Sequence, residues 1–406
     1  MTAVITGIGV WTSSGKGCEE FWKTASAGTV TLGELTRFDH SGYPFALAGQ
    51  LRDHEATDIP PRLWAQTDVW TRQGLVQSAL ALEDAGLDLS AVAEYDAGIA
   101  LASSAGGVEF GQREIQALWG EGPRHVSAYQ SIAWFYAATT GQTSIYHGIR
   151  GQCDAVVAEG AGGLDALAVA DHAIGDGTQS IMLCGGTDSA LSPYGMVCQW
   201  SSGLLSGATD HRDAYVPFRD DAGGWVPGEG GAVLVAESPS GAARRSAEVY
   251  GHIVGCGASF DPPPESGRRS TLRVAIAHAL AEARVRPDEV DVVYADAAAV
   301  PGWDHAEAEA LAEVFGPRGV PVTAPKSGYG RLYSGGGAVD VATALLGMRH
   351  GLIPPTPNGP AWHPLIDVVS TVRETNVDVA LVVARGHGGF NSAVVLRRDG
   401  DAVPVR

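Results

Sequence analysis

The sequence predicts an α/β protein, and three observations lead to that class. Short segments rich in Val, Ile and Ala recur along the chain, as in AVITGIGV at 3–10, AVVAEGA at 155–161 and VALVVARG at 379–386. Helical stretches such as 71–87 and 272–285 separate them. Nearly continuous apolar strands between helices are typical of sheets covered on both faces. The 54 glycines are spread over all 406 residues, which suits many strand-to-helix turns.

The chain is longer than one hydrophobic core usually supports, so we expect two domains or a duplicated unit. The first half ends in a glycine-rich turn and an apolar strand at 217–237. A second succession of strands and helices starts near residue 248 and closes on GHGGFNSAVVL at 386–396. Placing the boundary in SPSGAARR, at 238–245, predicts domains 1–240 and 241–406.

Charge and composition exclude several classes of function. The formal net charge of −19 argues against nucleic acid and against anionic membranes, because both need clustered Lys and Arg. No apolar run reaches the roughly 18 residues that span a bilayer, so we expect a cytoplasmic protein. The five cysteines are widely spaced and form no CxxC pair, so neither disulfides nor a zinc site is indicated. We therefore expect no metal and no cofactor.

One short stretch raises a functional question. AVVAEGAGGLDAL, at 155–167, reads as an apolar strand, a sharp glycine turn and an apolar helix. Enzymes use this layout to hold a nucleophile at an exposed bend. Here the turn contains no Ser, Cys or Thr.

Six motifs occur in an order that resembles the β-ketoacyl synthase family. They are VITGIGVWTSSGKG (4–17), ASSAGG (102–107), GGTDSALSP (185–193), PFRDDAGGWVPGEGGAVLV (217–235), APKSGYGRLYSGGGA (324–338) and GHGGFNSAVV (386–395). This resemblance covers essentially the whole chain. It implies the thiolase-like condensing-enzyme fold, in which two similar βαβαβαββ halves give layered αβαβα packing with the reacting site between them.

Active members of that family carry a Cys at the elbow, which takes up the acyl chain, and two His that polarise the malonyl thioester. Matching the motifs places Gly160 at the Cys position, Asp296 at the first His position and Arg331 at the second, while Lys326 is retained as a structural and electrostatic support. Glycine has no side chain to acylate, and Asp296 puts negative charge where a carbanion needs stabilisation. The resemblance therefore predicts a chain that does not condense anything alone.

The residues at four of these sites resemble those of the chain length factors, also called ketosynthase beta subunits, of bacterial type II polyketide synthases. Those proteins usually carry Gln at the elbow, where this chain has Gly160. Two interpretations stay open: drift at a site without catalytic demand, or a pocket opened for a chain or for gating. We further predict that Asp296 and Arg331 form a buried ion pair; the competing interpretation is a surface-facing Asp296.

The resemblance implies a heterodimer with a catalytic, Cys-bearing ketosynthase subunit, supplied by an acyl carrier protein that carries malonyl or polyketide groups. This chain would shape the tunnel in which the polyketide extends. The matching helix is 106–120, with tunnel candidates Phe110, Gly111, Gln112, Ile115 and Trp119. Positions three and four apart share a helix face, although ordinary packing is the better explanation for any single one of them.

Two further groups of residues are candidates. Trp134, Phe135 and Tyr136 stand together in a region that the resemblance places at the subunit interface; a buried core is the competing interpretation. His387 and Phe390 belong to a loop near the tunnel, where His387 is either a polar contact at the tunnel mouth or a loop residue bonded to backbone.

A different class of function is kept as the alternative. The chain could act alone as a malonyl-carrier decarboxylase or an acyltransferase with a rearranged site. No motif supplies the nucleophile or the proton relay that such an enzyme needs. The sequence therefore favours the non-catalytic subunit.

Overall fold

The computed structural model describes residues 2–52 and 58–400. Strands of the first half are β1 (Val4–Thr12), β2 (Gly15–Lys16), β3 (Gly33–Glu34), β4 (Leu47–Ala48), β5 (Ala97–Ala102), β6 (Cys153–Val156), β7 (Ile181–Asp188) and β8 (Gly230–Glu237). Its helices are α1 (Gly17–Ser26), α2 (Val69–Asp84), α3 (Val108–Gly120), α4 (Gln130–Ala133), α5 (Ala138–His147), α6 (Gly162–Gly175), α7 (Pro193–Trp200), α8 (His211–Ala214) and α9 (Pro239–Arg244).

The second half has fewer helices. Its strands are β9 (Gly251–Phe260), β10 (Val292–Tyr294), β11 (Pro321–Thr323), β12 (Leu352–Ile353), β13 (Asp367–Val368), β14 (Arg373–Glu374), β15 (Val379–Gly386) and β16 (Phe390–Arg398). Its helices are α10 (Leu272–Ala283), α11 (Pro301–Phe315) and α12 (Ser334–His350). Helix α9 covers the predicted boundary at residue 240, and the division of the chain at that point stays a prediction.

The main sheet contains the same strand order twice. In the first half the order is β6-β5-β7-β8-β1, and in the second it is β11-β10-β15-β16-β9, with β13 added beside β11. In both halves the three strands farthest from the junction, not counting β13, pair in parallel, and the three nearest the junction pair antiparallel, so that one strand belongs to both groups. The halves join where Val4 and Ile5 of β1 pair with His252 and Gly251 of β9.

Helices form three layers around these strands. In the middle, α6 and α12 contact each other and strands of both halves, while α2 covers β1 and β8 and α10 covers β9 and β16. The close approach of α6 to α12 requires Gly163, because a Cβ there would lie 2.5 Å from the carbonyl oxygen of Ser334. The predicted α/β class and the αβαβα layering are confirmed.

The middle layer holds much of the hydrophobic core. Leu164 and Leu167 of α6 are fully buried, as is Val339 of α12. Truncating one such leucine to alanine costs about 2–5 kcal/mol. The helix after the elbow is therefore a central packing element. None of the helices in the described ranges is long and apolar enough to cross a bilayer.

Candidate functional site

The elbow forms as the sequence predicts, but a neighbour closes over it. Strand β6 leads into a 3-10 turn at Glu159–Ala161, and α6 starts at Gly162. A Cβ built on Gly160 would lie 2.4 Å from the carbonyl oxygen of Arg385 and 3.0 Å from Nη2 of Arg331. The volume that a side chain would take is therefore already filled. The interpretation of Gly160 as the opening of a pocket is wrong.

Arg331 and Asp296 form the predicted buried ion pair. Nη1 and Nη2 of Arg331 each donate to a carboxylate oxygen of Asp296 at 3.1 Å, and both residues are 3% exposed. The same Nη2 donates to the Arg385 carbonyl at 2.6 Å, and the guanidinium lies 4.8 Å from the Trp225 ring centre. The prediction of a buried ion pair is confirmed, and the surface-facing Asp296 is excluded.

The charge state of Asp296 follows from these neighbours. Burial by itself would raise the pKa of this carboxyl, but the charges of Arg331 and Lys326 hold it below its usual value. The Arg385 backbone N–H also donates to the Asp296 carboxylate, at 2.9 Å. Asp296 is therefore an ionised acceptor and does not act as a proton donor at neutral pH.

Two more buried carboxyl groups lie beside the pair, and the motifs did not reveal them. Glu307 on α11 accepts the backbone N–H groups of Asp296 and Ala297 at 2.7 and 2.9 Å, and burial and the Asp296 charge raise its pKa to about 7. Asp304 accepts the Phe218 N–H at 2.6 Å, and burial raises its pKa to about 8. The available signal in the sequence was two acidic residues three positions apart, and therefore on one face of the predicted helix.

Strained backbone concentrates around the ion pair. Five non-glycine residues here have positive φ: Glu159 (+47°), Phe218 (+61°), Ala297 (+50°), Ala299 (+55°) and Tyr333 (+50°). Such conformations cost of order 1–3 kcal/mol each and persist where the surrounding structure enforces them. The loops thus keep a demanding geometry although no nucleophile stands at the elbow.

Lys326 is buried, and its charge acts on the Asp296 carboxylate of the ion pair. Its ammonium forms an ion pair with Asp340 of α12, whose pKa burial nevertheless raises to about 6. Lys326 also contributes favourably to the ionised form of Asp296. The geometry fits the electrostatic support that the resemblance implies.

The five tunnel candidates on α3 do not lie together. Phe110 and Gly111 are buried, and Oε1 of Gln112 accepts the Tyr194 N–H of α7 at 2.7 Å. Ile115 and Trp119 face outwards, with 48% and 84% of their surface exposed. The set divides into an anchoring side and an exposed apolar side.

The aromatic cluster also lies at the surface. Trp134, Phe135 and Tyr136 follow α4, and Trp134 is 49% exposed. Neighbouring rings contact each other at 6.3 and 4.5 Å between centroids. The interpretation of this cluster as buried core is wrong for this chain.

His387 and Phe390 lie beside the elbow. The His387 backbone N–H donates to the Glu159 carboxylate at 2.6 Å, and His387 lines an open cavity of about 780 Å³ together with Trp303, Arg385 and Asp261. Phe390 packs edge-on against Phe260, with 5.0 Å between ring centroids. This cavity reaches Arg385, whose carbonyl helps to fill the space above Gly160.

Comparisons with known proteins show the family of this chain. The model of the β-ketoacyl synthase N-terminal domain matches residues 2–240, and that of the C-terminal domain matches residues 247–359. The chain belongs to the β-ketoacyl synthase family. It is 54% identical to the tetracenomycin polyketide synthase ketoacyl synthase beta subunit of Streptomyces glaucescens, over 98% of both chains.

Other relatives place it in the same branch of the family. It is 50% identical to the actinorhodin polyketide putative β-ketoacyl synthase 2 of Streptomyces coelicolor, over 98% of this chain and 99% of the relative. A solved ishigamide ketosynthase/chain length factor structure has the same fold, with a TM-score of 0.90 at 24% identity, covering 98% of this chain and 99% of that one. The resemblance to ketosynthase beta subunits is confirmed.

Proposed function

We propose that this chain is the non-catalytic, chain-length-determining subunit of a heterodimeric type II polyketide ketosynthase. One observation carries the proposal: the Arg385 carbonyl and the Arg331 guanidinium, which is paired with Asp296, fill the space above Gly160. An acyl chain has no atom to attach to at this elbow and no room beside it. The printed name of the 54% identical relative, a ketoacyl synthase beta subunit of a polyketide synthase, supports the same role.

The surface of the first half supports a protein partner. We define the apolar surface as the exposed residues Ile115, Leu118, Trp119, Ile132, Trp134, Phe135, Tyr136, Ile145 and Val157. They lie on α3, on α4 and the segment that follows it, on α5, and directly after β6, an edge strand of the main sheet. Soluble monomers rarely expose so many large apolar side chains in neighbouring elements, and aromatic residues are enriched in interface cores. An edge strand adds unpaired backbone groups.

The partner in this proposal is a ketosynthase subunit of the same fold that carries the catalytic Cys. The two chains meet at the apolar surface in the cytoplasm, and the partner's site condenses malonyl units held by an acyl carrier protein. Because this chain carries a net charge of −19 and carrier proteins are acidic in general, the carrier docks mainly on the partner. The role proposed for this chain uses no cofactor.

Helix α3 is the element that limits the length of the product in this proposal. Ile115 and Trp119 belong to its exposed apolar side, whereas Phe110 and Gly111 are buried. Larger side chains on the exposed side shorten the tunnel, and smaller ones lengthen it. His387 lines the 780 Å³ cavity instead, and Phe390 packs against Phe260, which also lines it.

The test is co-expression with the Cys-bearing subunit, followed by mass analysis of the products made from malonyl-loaded carrier protein. Ile115→Trp should shorten the products, Ile115→Gly should lengthen them, and Ile145→Gly on α5 serves as a control in the same apolar surface. Unchanged lengths in an intact heterodimer would refute the tunnel role. Release of carbon dioxide from malonyl carrier by this chain alone would instead favour the decarboxylase alternative.

A further inference from the structure

Helix α3 begins without a side-chain cap of its own. Its N-cap residue is Gly107, and no side chain of that position accepts a hydrogen bond from the first turn. The first N–H groups of a helix need partners, especially where they are buried. Here the partner comes from a distant residue: Oδ2 of Asp68 accepts the Phe110 N–H at 2.7 Å.

Asp68 serves two helices at once. It is the N-cap of α2, where Oδ1 accepts the Trp70 N–H at 2.9 Å. The Trp70 indole in turn donates to the Thr187 carbonyl of β7 at 2.8 Å, so the start of α2 is fixed to the sheet. A buried carboxylate thereby ties the start of α3 to the central scaffold of the first half.

Asp68 is ionised at neutral pH and offers acceptors on both oxygens. Burial raises its pKa to about 6, although the N–H groups of Phe110 and Trp70 stabilise the charged form. An asparagine has the same shape but only one acceptor oxygen, so it can satisfy one of the two helices and not both. The position requires a carboxylate.

A second tether holds α3 on another side. Gln112 accepts the Tyr194 N–H of α7 at 2.7 Å. The loop ahead of α3 also packs closely against the aromatic cluster, because a Cβ on Gly107 would lie 2.1 Å from the Ala133 carbonyl. The helix and the Trp134 segment are thus held together as one unit.

We propose that Asp68 and Gln112 are positioning residues that set where the exposed side of α3, with Ile115 and Trp119, stands at the partner interface. The proposal rests on the proposed tunnel role of α3. In this arrangement Gln112 acts through its bond to α7, and Asp68 acts from the sheet side. Neither residue needs to touch the polyketide to influence its length.

The experiment uses the heterodimer with Asp68→Asn, compared with the original chain. The matched control is Asp88→Asn, because Asp88 is an exposed N-cap that accepts the Ser90 N–H at 2.9 Å away from α3. We expect Asp68→Asn to change the ratio of the two most abundant product lengths by about threefold or more, while total condensation changes less. Asp88→Asn should change neither quantity.

A change in total output without a change in the length ratio overturns the positioning role, since loss of stability alone gives that pattern. If Asp68→Asn does not yield a heterodimer, Gln112→Leu carries the test, because it removes the acceptor for α7 and keeps a residue of similar size. If product lengths change with the Ile115 variants but not with Asp68→Asn or Gln112→Leu, the positioning role is refuted and the tunnel role stands. If product lengths change with none of these variants, the tunnel role itself is refuted.

Discussion

Removing the guanidinium of Arg331 is the sharpest perturbation of the elbow. Methionine at this position keeps an unbranched side chain but no charge. Asp296 then loses two charge-assisted hydrogen bonds, both at 3.1 Å, and keeps the Arg385 N–H at 2.9 Å. The Arg385 carbonyl loses its donor at 2.6 Å as well. Breaking a buried pair by removing one partner costs about 3–5 kcal/mol, so we expect a loss of that size for Arg331→Met.

The assay is urea denaturation of the chain purified with its partner, for Arg331→Met, Asp296→Asn and the double variant. The amide oxygen introduced by Asp296→Asn can still accept the Arg385 N–H, and in the double variant no charge of this pair is left buried and unpaired. The double variant should therefore cost at least about 2 kcal/mol less than the sum of the single variants. Strictly additive costs, or a loss below about 1 kcal/mol for Arg331→Met, would refute the coupling of the two charges.

Three further predictions concern the same region and the interface. Gly160→Ala should lower the free energy of unfolding by about 1–3 kcal/mol, since its Cβ would lie 2.4 Å from the Arg385 carbonyl, and an unchanged melting temperature contradicts this. Asp304 faces Glu307, Asp296 and Arg331, and its folded pKa is raised from 3.8 to about 8, so its contribution to stability falls as pH rises between these two values and is lost once the pH passes the folded pKa. Asp304→Asn should flatten the loss seen by thermal unfolding between about pH 5 and 8. Trp134→Ser should weaken the heterodimer in size-exclusion chromatography while leaving the fold intact by circular dichroism.

The sequence was sufficient for the fold, because the fold depends on motifs that are continuous in the chain; the loss of the catalytic groups stays a prediction. The sequence was also sufficient for the ion pair, since Asp296 and Arg331 replace groups that face one site. The filling of the space above Gly160 could not be predicted. It depends on the Arg385 carbonyl, which reaches the elbow from a strand more than two hundred residues away in sequence.

The burial of Glu307 is a second feature that could not be predicted from the sequence. Its carboxylate accepts the N–H groups of Asp296 and Ala297, at 2.7 and 2.9 Å, and so holds the strained backbone of the loop. Helical periodicity indicates that Asp304 and Glu307 share a face, but acidic side chains are rarely fully buried. Only the packing of α11 shows that this face is buried.

Helix α3 departs from the usual amphipathic pattern in its later turns, and this bears directly on function. Glu114 points inward, where its carboxylate accepts the Ser127 N–H at 2.6 Å, while Ile115 and Trp119 point to solvent. A helix of a self-sufficient domain buries its apolar side and exposes its charges. Because the later turns of α3 leave Ile115 and Trp119 exposed while Asp68 holds its start, this apolar side is fixed in place with nothing of the described part of this chain to cover it. We infer that a partner completes this helix, and that the chain acts through the surface it presents and not through its closed elbow.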